Sequence, residues 1–289
     1  MQLVPRDLIA PIYEPRFHSA AESAWPDDTD VIGVEIGGEA RAYPVSLLNS
    51  RELVIDEVGG VPVAITWCPV CATAAVHDRR LGDETLVFGT QGALYRNAMT
   101  WWDHDSGSIW SQPFGEAIAG PRTGATVDQL PSQLTTWGAW RGAHPATIAL
   151  DARGAPVGVD LSQLLIVVQL ADETRGYSIN RVRDVGVVND TVGGVDIAVL
   201  VDPVEPERWS VWRRTLTDTT VELAQAGDQV TDEASGSRID PNRGLVLDGP
   251  LAGETLGRVP ATTSISGFGP TDRPVFATLW PDATVWAQN

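Results

Sequence analysis

Apolar positions in this chain come in short runs broken by paired glycines. Val31–Ile36 and Glu39–Tyr43 flank Gly37-Gly38, and Glu52–Val58 and Val61–Trp67 flank Gly59-Gly60. Each run has strand length, and each glycine pair supplies the positive φ that a tight hairpin needs, so two hairpins are predicted. Ala75–Arg79 and Thr85–Gly89 lie on either side of a polar turn, and Thr100–Asp103 and Ser108–Gln112 on either side of Asp105-Ser106-Gly107. Pro44–Arg51 and Thr136–Gly142 read as short helices. The expected fold class is mainly β with a few short helices (α+β), built as β-sandwich or open-barrel-like units.

The pattern then repeats. Ile32–Cys71 aligns without a gap onto Ile166–Glu205 at an offset of 134, with 14 of 40 positions identical. Glu39, Arg41, Tyr43, Asp56 and Gly59-Gly60-Val61 recur as Glu173, Arg175, Tyr177, Asp190 and Gly193-Gly194-Val195. Further on, Asp103, Ser106-Gly107-Ser108, Gly115 and Gly120-Pro121 recur as Asp232, Ser235-Gly236-Ser237, Gly244 and Gly249-Pro250, at an offset of 129. The reduced offset places a deletion in the second copy, around Tyr95–Asn97. An internally duplicated unit is expected. Its parts are an N-terminal extended arm (1–29), a first repeat (30–150), a linker (151–161) and a second, degenerate repeat (162–289).

Composition narrows the function classes. The net charge of −18 argues against nucleic acid and against anionic membrane as partners, since both require a basic footprint. All 20 basic residues are Arg, so lysine Schiff-base chemistry and a Walker-type phosphate loop are excluded. No apolar run is long enough for a membrane helix. Residues 1–30 show no basic start followed by an apolar stretch, and a cytoplasmic location is expected. No nucleotide-binding glycine loop and no Cys-x-x-Cys-His haem attachment is present.

The two cysteines form Cys68-Pro69-Val70-Cys71, and the repeat acts as an internal control on them. The second copy has Asp202-Pro203-Val204-Glu205 there, keeping the Pro-Val turn and losing both sulfurs. The turn therefore serves the fold and the sulfurs serve reactivity or ligation; the plain alternative is a pair of small buried apolar residues. The long helix that follows a thioredoxin-type pair is not predicted after Cys71. Structural zinc wants four ligands, and no second cysteine pair exists. A soft ion of the Cu(I) type needs fewer, so Cys68 and Cys71 are expected to bind copper or support a copper-dependent oxidation. His104 and His77 are candidate further ligands, though each alone is more simply a surface or hydrogen-bonded residue. Trp67, Tyr95, Arg96, Asn97, Met99, Trp102 and Trp110 are candidate pocket residues; ordinary core packing is the competing reading for the aromatics. Two other functions stay open: a thiol–disulfide redox enzyme acting on a small-molecule substrate, and a non-catalytic binding or scaffold module.

Val31–Pro44, Val61–Cys71, Ser106–Gln112 and Gly115–Pro121, with Arg6–Trp25 and Leu134–Trp137, together resemble the bacterial family called domain of unknown function 3179. The resemblance covers almost the whole chain and implies no particular reaction. It does carry the Cys-Pro-x-Cys site onto Cys68 and Cys71. The family commonly has Trp-His-Glu before the second hairpin, where this chain has Ser50-Arg51-Glu52. If that histidine is a ligand or base elsewhere, His77 or His104 compensates here or the chemistry has diverged.

Overall fold

The computed structural model describes residues 2–216, 219–267 and 274–287. Strands account for 46% of the chain and helices for 10%, which makes it mainly β with four short α-helices among the described residues. Among the described residues the strands form several separate sheets, none closed into a barrel. No helix of the described residues is long and apolar enough to cross a membrane. The chain divides into two compact units, Met1–Val159 with Thr262–Pro281, and Asp160–Ala261 with Asp282–Asn289.

In the first unit, β1 (Phe17–Ser19), β2 (Asp30–Ile36) and β3 (Glu39–Pro44) join Gln133–Thr136 and Ile148–Leu150 in a five-stranded sheet. The helix α1 (Val45–Arg51) follows β3 and buries Val45 and Leu48. It leads into β4 (Leu53–Val58), β5 (Val61–Cys68) and β6 (Thr73–Asp78), which form an antiparallel sheet with Gln129–Leu130. A further antiparallel sheet contains Phe88–Tyr95, Ala98–Asp103, Ile109–Ser111 and Glu116–Ala119. The glycine-pair hairpins form as predicted: Gly37, Gly38, Gly59 and Gly60 all take positive φ.

One strand forms near its expected place but is buried throughout, and another differs from the sequence expectation. Cys71 is followed by β6, whose residues are buried on both faces, so it lacks the polar alternation of a half-exposed strand. Where Thr85–Gly89 was expected to pair, a two-residue strand Glu84–Thr85 is followed by a separate strand, Phe88–Tyr95. The N-terminal segment supplies part of the explanation. Leu3 N donates to Gly92 O and Asp7 N to Thr90 O, which gives the polar stretch Gly89–Gly92 an edge partner.

In the second unit, Leu164–Leu170 pairs with Glu173–Ser178, and Val187–Val192, Val195–Val201 and Trp209–Arg213 form an antiparallel sheet. Leu223–Ala226, Gln229–Asp232 and Arg238–Ile239 form another. The hairpin closed by the pair Phe88–Asp103 in the first unit is cut short here, where the corresponding pair is Leu223–Asp232.

Candidate functional site

Cys68 ends β5, and Cys71 closes the turn with its N–H donating to Cys68 O at 3.3 Å. Pro69 suits the second position of such a turn because its φ is already fixed. Ala72, next along, is held in the left-handed region at φ 50°. Both cysteines are wholly buried. Their side chains face each other across the turn, where the Cys71 thiol interacts with that of Cys68 and with Thr73. Burial, with the bond to Cys68 and its charge, pushes the Cys71 thiol well above the usual cysteine range, against a smaller lowering by Thr73. At neutral pH this sulfur is a neutral thiol.

A remote stretch clasps the turn. Thr263 Oγ1 donates to Ala72 O at 2.7 Å, Thr262 Oγ1 to Ala74 O at 2.5 Å, and Ile265 N to Cys71 O at 3.3 Å. No sequence pattern announced these contacts. They arise where buried carbonyls beside the turn need donors.

The other candidates are dispersed. His77 lies on β6 opposite Ala64, four residues along β5 from Cys68, so roughly 13 Å of strand separates them. It is wholly buried, neither ring nitrogen has a hydrogen-bond partner among the described residues, and burial pushes its pKa down to about 3. His104 is exposed, bonded to Tyr13 Oη at 3.2 Å and stacked on Trp102 at 4.4 Å. Arg6 covers Trp102 as well, 4.8 Å from the ring centre. Trp67 points to the face of β5 opposite Cys68 and donates to Asn49 Oδ1 at 2.7 Å. Trp110 is buried and donates to Asp103 Oδ2 at 2.9 Å. Met99 is buried, while Tyr95 and Asn97 are half-buried. Arg96 is exposed, lies over Tyr95 and donates to Leu279 O at 3.3 Å. Among the described residues no three His, Cys, Asp or Glu side chains are grouped to hold a metal ion. The structure thus brings Cys68 and Cys71 together and leaves both histidines apart from them.

Three residues at the site gave no sequence signal. Gln112 Nε2 donates to Thr66 Oγ1 at 3.0 Å and to Thr73 O at 3.2 Å, tying the thiol end of β5 and β6 to the neighbouring sheet. Glu52, at the end of α1, takes φ 60°, and burial pushes its carboxyl up to about 7.

In comparisons with known proteins, the family model DUF3179, described as a protein of unknown function, matches residues 6–155. No curated protein and no solved structure matches.

Proposed function

The chain belongs to the DUF3179 family, and as that family's description carries no activity, we propose from the site itself that the first unit is a thiol–disulfide module in which Cys68 and Cys71 interconvert between dithiol and disulfide. One observation carries this reading: the two thiols face each other across a four-residue turn. Such a turn keeps its end Cα atoms within about 7 Å, and a disulfide spans about 4.4–6.8 Å. The surroundings favour the same product. A disulfide is uncharged, whereas free thiolates would be stranded in a buried site where no cation acts on Cys71.

The same pairing also favours a second reading, a Cu(I)-type site used for copper binding or a copper-dependent oxidation. Two adjacent thiolates suffice for a soft ion, whereas structural zinc wants four ligands. Binding would release the thiol protons and so strengthen as pH rises.

Thiol counting and peptide mapping of the folded protein, before and after a mild oxidant, separate the readings. The redox reading expects two free thiols to disappear together into one Cys68–Cys71 bridge. Thiols that stay free under oxidant, beside stoichiometric copper that vanishes in the Cys68→Ser/Cys71→Ser variant, would replace it with the copper reading. Full function in that double variant would leave a non-catalytic binding module.

A further inference from the structure

The two units can be compared beyond the cysteines. Strand register sets His77 opposite Ala64 in the first unit and Trp212 opposite Ala198 in the second. A glycine closes over each ring: a Cβ added at Gly115 would come within 2.7 Å of His77, and one at Gly244 within 2.9 Å of Trp212. His77 therefore stands where the second unit has Trp212. By the same registers Thr66 stands for Leu200, Trp101 for Val230 and Trp110 for Ile239. In the second unit Ala198, Leu200, Trp212, Val230 and Ile239 belong to one apolar core. The architecture does not require polar side chains at these positions.

The first unit nevertheless has polar atoms in this region, and while Thr66 and Trp110 are hydrogen-bonded, several others are not. Both His77 nitrogens, the Trp101 indole N–H and Gln112 Oε1 are buried without a hydrogen-bond partner among the described residues. His77 and Trp101 meet edge to face at 5.2 Å. Gln112 continues the row to the thiols through Thr66 and through Thr73, the strand partner of Cys68. At the other end Gln129 pairs beside His77, half-buried, with an unpartnered Nε2. Burying unpaired donors and acceptors is costly, and proteins keep them where a ligand or a reaction uses them.

We infer that the row Gln129, His77, Trp101 and Gln112 binds a small uncharged oxidant, a hydroperoxide, and delivers it to Cys68 and Cys71. This rests on the thiol–disulfide reading and names its oxidant. None of the four side chains carries a charge to pair with an ionic ligand; burial keeps His77 neutral. The enclosed thiols shut out a peptide or a bulky disulfide. A hydroperoxide offers an O–H to Gln112 Oε1 or to a His77 nitrogen, and an oxygen to the Trp101 N–H. In the reaction one sulfur attacks a peroxide oxygen and the O–O bond breaks. The thiol proton leaves with the departing oxygen as water or alcohol, giving a sulfenic acid. The second thiol then attacks that sulfur, the S–O bond breaks, and water departs with the remaining proton. Two electrons pass from the dithiol to the peroxide.

Folded protein is treated in parallel with hydrogen peroxide, oxidised glutathione and dimethyl disulfide, and the Cys68–Cys71 bridge is followed by peptide mapping. Hydrogen peroxide is expected to form the bridge while oxidised glutathione leaves both thiols free. Gln112 would touch the peroxide, and Thr66 acts through it as a positioning residue. Gln112→Leu, and independently the near-isosteric Thr66→Val, should slow the peroxide reaction tenfold or more. The rate with dimethyl disulfide, small and uncharged but without a hydrogen-bond donor, should stay unchanged. Thiols of urea-unfolded wild type and variants should react alike, which separates site effects from intrinsic thiol reactivity. Equal rates with peroxide and glutathione disulfide, or variants as fast as wild type with peroxide, overturn the hydroperoxide inference and leave the dithiol couple standing. No bridge with any oxidant overturns both.

Discussion

The first and second units fasten their hairpins identically and differ where chemistry is possible. Arg41 Nη1 grips Asp56 at 2.7 and 2.8 Å, and Arg175 Nη1 grips Asp190 at 2.6 and 2.7 Å. Tyr43 and Tyr177 donate to the same two carboxylates, and Glu39 and Glu173 accept from Gly59 N and Gly193 N at 2.9 and 2.8 Å. Buried Arg79 and Arg214 reach matching carbonyls, Val63 O and Ile197 O. At the Pro-Val turn the units part. Asp202 uses its carboxylate on the turn itself, accepting from Val204 N at 2.8 Å, Glu205 N at 3.0 Å and Asn242 Nδ2 at 2.5 Å. The first unit closes its turn with the backbone and with Thr262–Ile265, leaving the sulfurs free of that task. Shared residues mark what the fold needs, and the departures mark what it does not.

The largest expected break in this comparison comes from His77. Its folded pKa of about 3 lies below the ordinary 6.5, so between those values the unfolded chain binds the extra proton. Stability is therefore full above pH 6.5 and falls as pH drops toward 3, by about 5 kcal/mol. Hydrogen exchange read separately in each unit should show this acid loss at first-unit amides, and His77→Phe should remove it. Trp212 gives the second unit no counterpart. Glu52 acts with the opposite sign: its folded pKa of about 7 exceeds the ordinary 4.5, so its contribution is lost as pH rises between them. Pairing His77→Phe with Glu52→Gln isolates the histidine term.

Asp56→Asn and Asp190→Asn should sharpen the likeness. Each removes a carboxylate that accepts from an arginine and a tyrosine, costing about 1.5–3 kcal/mol per charged bond lost. Urea unfolding followed in each unit should give similar losses; a clear inequality would mean the two networks are not equivalent in energy. Thr263→Val should cost the first unit about 1 kcal/mol by withdrawing the donor to Ala72 O, and should raise thiol accessibility in labelling experiments. The smallest effect belongs to Ala72→Gly. Relief of the left-handed strain, worth about 1–2 kcal/mol, is partly offset by the chain entropy of glycine. A thermal midpoint raised by a few degrees or less is expected.

Much of the hairpin framework was legible in the sequence. The glycine pairs fix where β2 turns into β3 and β4 into β5, because positive φ on successive residues admits little else. Helix α1 and the helix Trp137–Ala143 form within a residue of the short helices read at Pro44–Arg51 and Thr136–Gly142. The cysteine pair was legible too, since the carboxylates at Asp202 and Glu205 showed the turn forming without sulfur. The polar stretch Gly89–Gly92 was not, because its strand character depends on an edge partner from residues 3–7.

What the sequence alone determined was local: the turns, the strands they join, the recurrence of Glu39, Arg41, Tyr43 and Asp56 as Glu173, Arg175, Tyr177 and Asp190, and two sulfurs three residues apart. Only the tertiary structure decided that both thiols are shut away, that His77 and His104 lie apart from them, and that Gln112 and Thr263 reach the turn. Backbone conformation is set by neighbours along the chain, whereas burial, pKa and hydrogen-bond partners are set by whatever packs across from it. For the thiol turn those partners come from as far away as Thr262–Ile265, and no local pattern encodes them.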